Sequence, residues 1–365
     1  MIQKEVNEIK KLLKKENCSI DQLYGCYVNS DNGKVMTFNH TFLTLPEEEQ
    51  FKYLSIFKGI LSGKIDSKLL NVEFPTSSEG ANTSHNDLVE LNKSELNNEV
   101  LIEKFFDKII DNYEYTGNYL ILLANNTYDI PGSLDDASDF VYKHVYCAIC
   151  PVTLSKEGLS YYSDENIIKD RIRDWQVGKP MSGFLFPSFR GRTSDIHEML
   201  YFESKAKNIQ TKYLEEYLNA IIPLTKEEQN ILFTDVINQS FDNNIDFETM
   251  KTINEEINEI IEDHAYDEEP YELSKKDISN AFESAGATPQ DMIRFSSAYD
   301  DILSNVNIKA NNSIDNKKLV IEQPDIIIKA SAERSGQIEM KTIDGEKCII
   351  IKVRGDVKFN GNIVS

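Results

Sequence analysis

The sequence predicts an α+β protein: a mixed or antiparallel sheet with packed helices, a helical section, and a small β-rich C-terminal module. Three observations lead there. Between Glu99 and Tyr113, the residues Leu101, Ile102, Phe105, Phe106, Ile109 and Ile110 pair up at every turn, an apolar face wide enough to lie on a sheet. Asn118 to Ala124 and Phe140 to Leu154 are apolar runs of strand character. From Leu319 onward the period changes, and alternating runs are broken by Ser335-Gly336, Asp344-Gly345 and Asn360-Gly361, as in a small antiparallel sheet. The expected segments are 1–76 (N-terminal α+β), 87–222 (central α+β), 223–303 (helical) and 304–365 (β-rich).

In chain order, residues 2–16 predict an amphipathic helix with Ile2, Val6, Ile9 and Leu13 on one face. Two short alternating runs flank Asp31-Asn32-Gly33, a hairpin signal. Thr44, Pro46 and Glu47 read as a helix start with a glutamate able to reach back, and Phe51, Leu54, Ile56, Phe57 and Leu61 as its apolar positions. Residues 77–86 read as a polar surface connection, followed by helices near 87–96 and 99–113. After the two strand runs a third is expected over Leu159 to Tyr162, then a short helix over Ile167 to Trp175, a turn at Val177 to Met181, a strand over Gly183 to Phe189, and mostly helix from 194 to 218. The helical section is expected to hold a capping box at Thr225–Glu228, a long helix over Asp246 to His264, an acidic linker, and helices at 275–285 and 289–303, the last capped by Thr288 with Pro289 behind it.

The 365 residues carry a formal charge of −22 and 40% hydrophobic residues. Such a chain can bury a core, and its net charge repels polyanions in general without excluding a local basic site. No apolar run approaches the roughly 18 residues of a membrane span, and the charged N-terminus lacks a secretory pattern. A cytoplasmic protein with no membrane association is therefore expected. Five cysteines give no disulfide framework. Cys147 and Cys150 lie in a strand-like run, where positions three apart point to opposite faces, so both read as core residues.

Catalytic signatures are lacking. Gly59 to Ile65 is a residue short of a phosphate loop, has isoleucine in place of the hydroxyl, and closes a helix rather than opening one. His197-Glu198 begins like a zinc-protease helix but lacks the second histidine. Residues 242–253 lack the glycine and glutamate of a calcium loop. Phe186-Pro187-Ser188 lacks the glycine of a nucleophile elbow. Asp129, Asp135, Asp136 and Asp139 offer carboxylates to a hard cation, the basis of a metal-dependent enzyme of unfamiliar type, yet a solvated acidic loop has the same composition. The five histidines suggest no triad or ligand set. No cofactor and no metal are expected.

One stretch departs from the acidic background. Ile167 to Arg192 holds the only tryptophan, Trp175, and the cations Lys169, Arg171, Arg173, Lys179, Arg190 and Arg192 against Asp170 and Asp174 alone. Cations can pair with phosphates and exposed aromatics can stack on bases, so the stretch suits a nucleic-acid or nucleoprotein surface. Internal pairing of the arginines and burial of Trp175, Phe184, Phe186 and Phe189 explain the same composition. A protein-interaction or regulatory module working through its acidic surface is the alternative function.

The segments GCYVN, GNYLILLANNTYDIP, YCAICPVTLSKEGLSY, DWQVGKPMSGFLFPSFRGRTSDI, PDIIIKASAERS and IDGEKCIIIKV together resemble an uncharacterised Firmicutes family, domain of unknown function 4317, over essentially the whole chain. That resemblance implies no activity. A more distant, partial one, over about 170–218, is to the bacterial nucleoid-associated protein family, on Trp175, Gly178, Phe186, Arg190, Gly191 and Arg192. It implies a chromosome-associated role.

Overall fold

A computed structural model describes residues 1–75, 83–130 and 140–364. The chain divides into two compact units, Met1–Thr225 and Lys226–Ser365. The fold is α+β.

The first unit begins with helix α1 (Gln3–Leu12), strands β1 (Gln22–Val28) and β2 (Lys34–Thr41), helix α2 (Glu47–Ile60) and strand β3 (Leu69–Glu73). Helices α3 (Thr83–Lys93) and α4 (Glu99–Asn112) precede the long strands β4 (Asn118–Ile130) and β5 (Phe140–Leu154). Short strands follow: β6 (Leu159–Tyr162), β7 (Ile167–Asp170), β8 (Trp175–Val177), β9 (Ser182–Phe186), β10 (Ser188–Arg190), β11 (Thr193–Asp195) and β12 (Glu198–Glu203). An eight-stranded sheet runs in the order β2-β1-β4-β5-β9-β12-β3, with β8 added to the end of β5, and its ladders are antiparallel.

Both faces of this sheet are covered. Cys26, Ile121, Leu123, Cys147, Phe184 and Tyr201 join the core under α3 and α4. Leu23, Leu122, Ala148, Leu185 and Leu200 join the core under α1 and α2. A strand buried on both faces reads as a continuous apolar run, which is why β4 and β5 were visible in the sequence. Segments 1–76 and 87–222 contribute strands to this same sheet. Gly183 lies where the backbone of β5 approaches closely: an added Cβ would lie 2.4 Å from the Cys147 carbonyl oxygen and 2.7 Å from Ile60. Cys147 and Cys150 are buried, free thiols.

The hairpin at Asp31-Asn32-Gly33 forms as expected: Asn32 takes φ 57°, and the Asn29 side chain accepts from the Gly33 amide at 2.7 Å. Other expectations are corrected. Pro46, not Thr44, stands at the start of α2; the Thr44 hydroxyl donates to the Thr41 carbonyl, and Phe51 faces solvent. The helix expected over 167–175 is absent: Ile167–Asp170 is strand β7, paired with β6, and Trp175 opens β8, paired with β5. The helical expectation for 194–218 fails at β12, which sends Met199 and Tyr201 into one core and Leu200 and Phe202 into the other. With both faces buried, β12 lacks alternation, and its apolar run, Met199 to Phe202, is too short to separate strand from helix without it. Only Lys212–Tyr217 turns helically at length there, as a π-helix.

In the second unit, helices α5 (Lys226–Ser240), α6 (Phe247–Asp263), α7 (Lys275–Ser284) and α8 (Pro289–Ile302) enclose Phe233, Ile253, Ile257, Phe282 and Phe295. Asp246 caps α6 by accepting from the Glu248 and Thr249 amides, each at 3.0 Å, and Thr288 caps α8 with Pro289 at its first position. A short helix α9 (Ala310–Ser313) leads to three separate hairpins: β13 (Lys318–Gln323) with β14 (Ile326–Ser331), β15 (Ile338–Ile343) with β16 (Glu346–Ile351), and β17 (Val357–Phe359) with β18 (Asn362–Val364). The tail is thus not one sheet. Asp344-Gly345 and Asn360-Gly361 make two of the turns, Asp325 at φ 67° makes the third, and Ser335-Gly336 falls in a 3₁₀ turn.

Candidate functional site

The basic stretch splits in space. Leu154, at one end of β5, pairs with Trp175, while Phe189, next to Arg190, packs on Tyr142 near the other end, with ring centroids 4.9 Å apart. Twelve residues of strand separate Tyr142 from Leu154, about 40 Å. Lys169, Arg171, Arg173 and Trp175 therefore form one group, and Arg190 with Arg192 another. Lys179 is exposed in the turn after β8.

Arg190 and Arg192 belong to the packing of α1. The Arg190 guanidinium meets Glu198 at 3.2 Å, and that carboxylate is only 3% exposed and also accepts from the Met1 nitrogen at 2.6 Å. Arg192 reaches Glu8 at 3.4 Å, and the Gly191 amide donates to Glu5 at 2.8 Å. A carboxylate this deeply buried is costly to leave without its cationic partners.

The first group lies on a long two-stranded ribbon. The ladder Val152↔Val177, Thr153↔Gln176, Leu154↔Trp175 continues in the same register to Leu159↔Asp170 and Tyr162↔Ile167. Between the two ladders the Ser155 amide donates to Asp174 and the Arg171 amide to Gly158, at 2.8 and 2.9 Å, so the register does not slip. Nothing in the sequence spacing reveals this ribbon, because the residues of 167–175 also fit a helix.

The ribbon is apolar and exposed. Trp175 is 56% exposed, Ile168 69%, Ile172 70% and Leu159 75%, and Tyr161 and Val177 also face solvent. Tyr161 and Ile168 are directly opposed, as are Leu154 and Trp175. Lys169 bonds both oxygens of Glu165, at 2.7 and 2.8 Å, and lies 4.6 Å above the Tyr162 ring. Arg173 holds Glu157 and the Ser155 carbonyl, both at 2.8 Å. Over residues 152–177, Lys156, Lys169, Arg171 and Arg173 stand against Glu157, Asp164, Glu165, Asp170 and Asp174, so the projection as a whole carries no positive charge.

Two buried polar clusters escaped the sequence reading. Ser182 and Glu203 are paired across the β9–β12 ladder. The Ser182 hydroxyl donates to the Tyr201 oxygen at 2.9 Å, and the Tyr201 hydroxyl donates to Glu203 at 3.2 Å. Burial raises the Glu203 carboxyl from 4.5 to about 7. On the other face, His144 Nε2 lies 2.9 Å from the Tyr146 hydroxyl and 3.3 Å from the Asn126 amide nitrogen. Burial lowers His144 from 6.5 to about 3 and raises the Cys18 thiol. Neither group carries the charge of an activated cysteine nucleophile with its imidazolium.

His85 and His197 come together, with ring centroids 6.1 Å apart, and His85 also stacks on Phe74 at 4.3 Å. Among the described residues no group of three or more His, Cys, Asp or Glu is placed to hold a metal. Asp135, Asp136 and Asp139 lie outside the described residues; Asp129 is on β4. A shallow groove of 670 Å³ beside Tyr24, Asn39, Asn98 and Glu99 contains a single carboxylate. No helix among the described residues is long and apolar enough to cross a membrane.

No curated protein matches the chain. The profile of the family described as Domain of unknown function (DUF4317) matches residues 1–362. The resemblance to nucleoid-associated proteins finds no support in these comparisons. With 1–362 of its residues matched, the chain belongs to the DUF4317 family.

Proposed function

We propose that this chain is a non-catalytic interaction protein that docks a protein partner through the 152–177 ribbon. The observation that carries the reading is the set of large apolar side chains, Leu159, Tyr161, Ile168, Ile172, Trp175 and Val177, left facing solvent on a register-locked two-stranded projection. Exposed apolar residues gathered on one projection mark association surfaces, and an aromatic anchor such as Trp175 is the residue type that dominates them. The partner chemistry follows from the ribbon's composition. Aliphatic side chains do not stack on bases, and a balanced set of charges offers phosphates no net attraction. An apolar cleft with charged groups of both signs at its rim fits instead.

A nucleic-acid surface is the second reading, favoured by the spacing of Lys169, Arg171, Arg173 and Trp175 along one chain segment. The ion pairs of Lys169 and Arg173 are solvent-exposed and weak enough to exchange for phosphate. Affinity capture on the tagged full chain separates the two. Protein docking predicts a discrete partner that survives nuclease and raised salt and is lost in Ile168→Asp and Trp175→Ala. Loss on nuclease treatment, with a steep salt slope and sensitivity to Arg171→Glu, would transfer the ribbon to nucleic acid.

A further inference from the structure

A second surface, in the other unit, is the edge of β13. We propose that the free edge of β13 pairs antiparallel with β13 of a second copy about a twofold axis at Val320.

Among the described residues, strand β13 pairs with β14 alone, and the sheet they form has two strands. A lone hairpin is marginal in water, and an unpaired edge is a template for another strand. Edge exposure alone does not name the occupant. Charge does. The strand reads Lys318-Leu-Val-Ile-Glu322, with its cation and its anion equally distant from Val320. Antiparallel pairing about Val320 sets Lys318 opposite the second copy's Glu322, Glu322 opposite its Lys318, and Leu319 opposite its Ile321. One face would hold two ion pairs flanking a Val–Val contact. The other would hold two Leu–Ile contacts. Such side chains, directly opposed, are the stabilising units of a sheet.

Within its own chain β13 makes no such pairs. Lys318 faces Ser331, Val320 faces Lys329, and Glu322 faces Ile327. Neither Lys318 nor Glu322 has an ion-pair partner among the described residues. Val320 is 42% exposed, while Leu319 and Ile321 on the opposite side are half-buried. The other hairpin strands lack this combination. In β15, Glu339 already binds Lys341 of the same strand and Lys352, which follows β16. In β14 and β17 the acidic member, Asp325 or Asp356, falls outside the strand.

Sedimentation equilibrium of the full chain tests the pairing by charge reversal. The wild-type chain should be in monomer–dimer equilibrium, and Lys318→Glu or Glu322→Lys should each weaken dimerisation by about tenfold or more. An equimolar mixture of the two variants should recover it, because each then supplies the charge the other lacks, and the doubly reversed chain should dimerise like wild type. Val320→Cys should give a single disulfide-linked dimer under mild oxidant. A monomeric wild type, dimerisation indifferent to both reversals, or a mixture that fails to recover would each overturn the proposal. All of these variants lie outside the 152–177 ribbon, so loss of one association leaves the other to be measured.

Discussion

Leu154 and Trp175 face each other on the rung where the central sheet passes into the ribbon. Their neighbours two rungs inward, on the same face, Val152 and Val177, differ: Val152 is buried in the core, while Val177 faces solvent. Trp175 is therefore a tryptophan placed on the rim of a core without entering it. As the only tryptophan of the chain it reports on its own surroundings. Its fluorescence should be red-shifted and freely quenched by acrylamide in the unliganded chain. Trp175→Ala should cost less than about 1 kcal/mol of stability, as surface substitutions do. A blue-shifted, unquenchable emission would remove the anchor from the docking surface.

The two groups of cations should separate by stability. Arg190→Ala deprives the buried Glu198 of a partner, and because Arg190 itself is half-exposed the loss should be about 1–3 kcal/mol. Arg171→Ala should stay within about 0.5 kcal/mol of wild type. Urea midpoints of the two variants check this, and equal midpoints would place Arg190 on the surface rather than in the packing of α1.

How far all this could be read from the residues differs by element. Strands β4 and β5 and helix α4 were legible because their apolar runs are long and their periods clear. The strand β12 was not, because its apolar run, Met199 to Phe202, is too short to tell a strand buried on both faces from a helix. The cationic stretch was visible as composition, but its meaning was not. The carboxylates that pair with it, Glu8, Glu157 and Glu198, reach Arg192, Arg173 and Arg190 through the fold, and one of these pairs, Arg192 with Glu8, brings distant elements together. Sequence proximity also suggested one cluster where β5 holds two apart. The Ser182–Tyr201–Glu203 chain of hydroxyls and carboxyl left no sequence signal, since none of its spacings belongs to a motif.

Glu203 should make the protein less stable as pH rises. Its folded pKa, about 7, lies above its ordinary 4.5, so the folded state binds the proton more tightly. The stability linked to that proton is present below about 4.5 and is lost as pH rises through about 7, on the order of 3 kcal/mol in total. Glu203→Gln keeps a partner for the Tyr201 hydroxyl and removes the titration. Its denaturation midpoint should lose this slope and exceed wild type above pH 7; an unchanged slope would contradict the assignment.

His144 should act with the opposite sign. Its folded pKa, about 3, lies below 6.5, so the unfolded chain takes up the proton first. Stability is then full above about 6.5 and falls with pH toward 3, by up to about 5 kcal/mol. Between about 4.5 and 6.5 the two slopes oppose each other. His144→Gln should lower stability at neutral pH, through lost packing on Tyr142, yet flatten the acid limb. An acid limb as steep as that of wild type would assign acid unfolding to other groups.

Site-specific photocrosslinking tests the ribbon most directly. A photoreactive phenylalanine analogue placed at Tyr161, Ile168 or Ile172 of the full chain should crosslink one discrete protein, nuclease-resistant, and the product should vanish when Trp175→Ala is added. The same probe at Val100 or Tyr266, which are also exposed, should not give that product. Identical products from ribbon and control positions, or crosslinks to nucleic acid alone, would contradict the account.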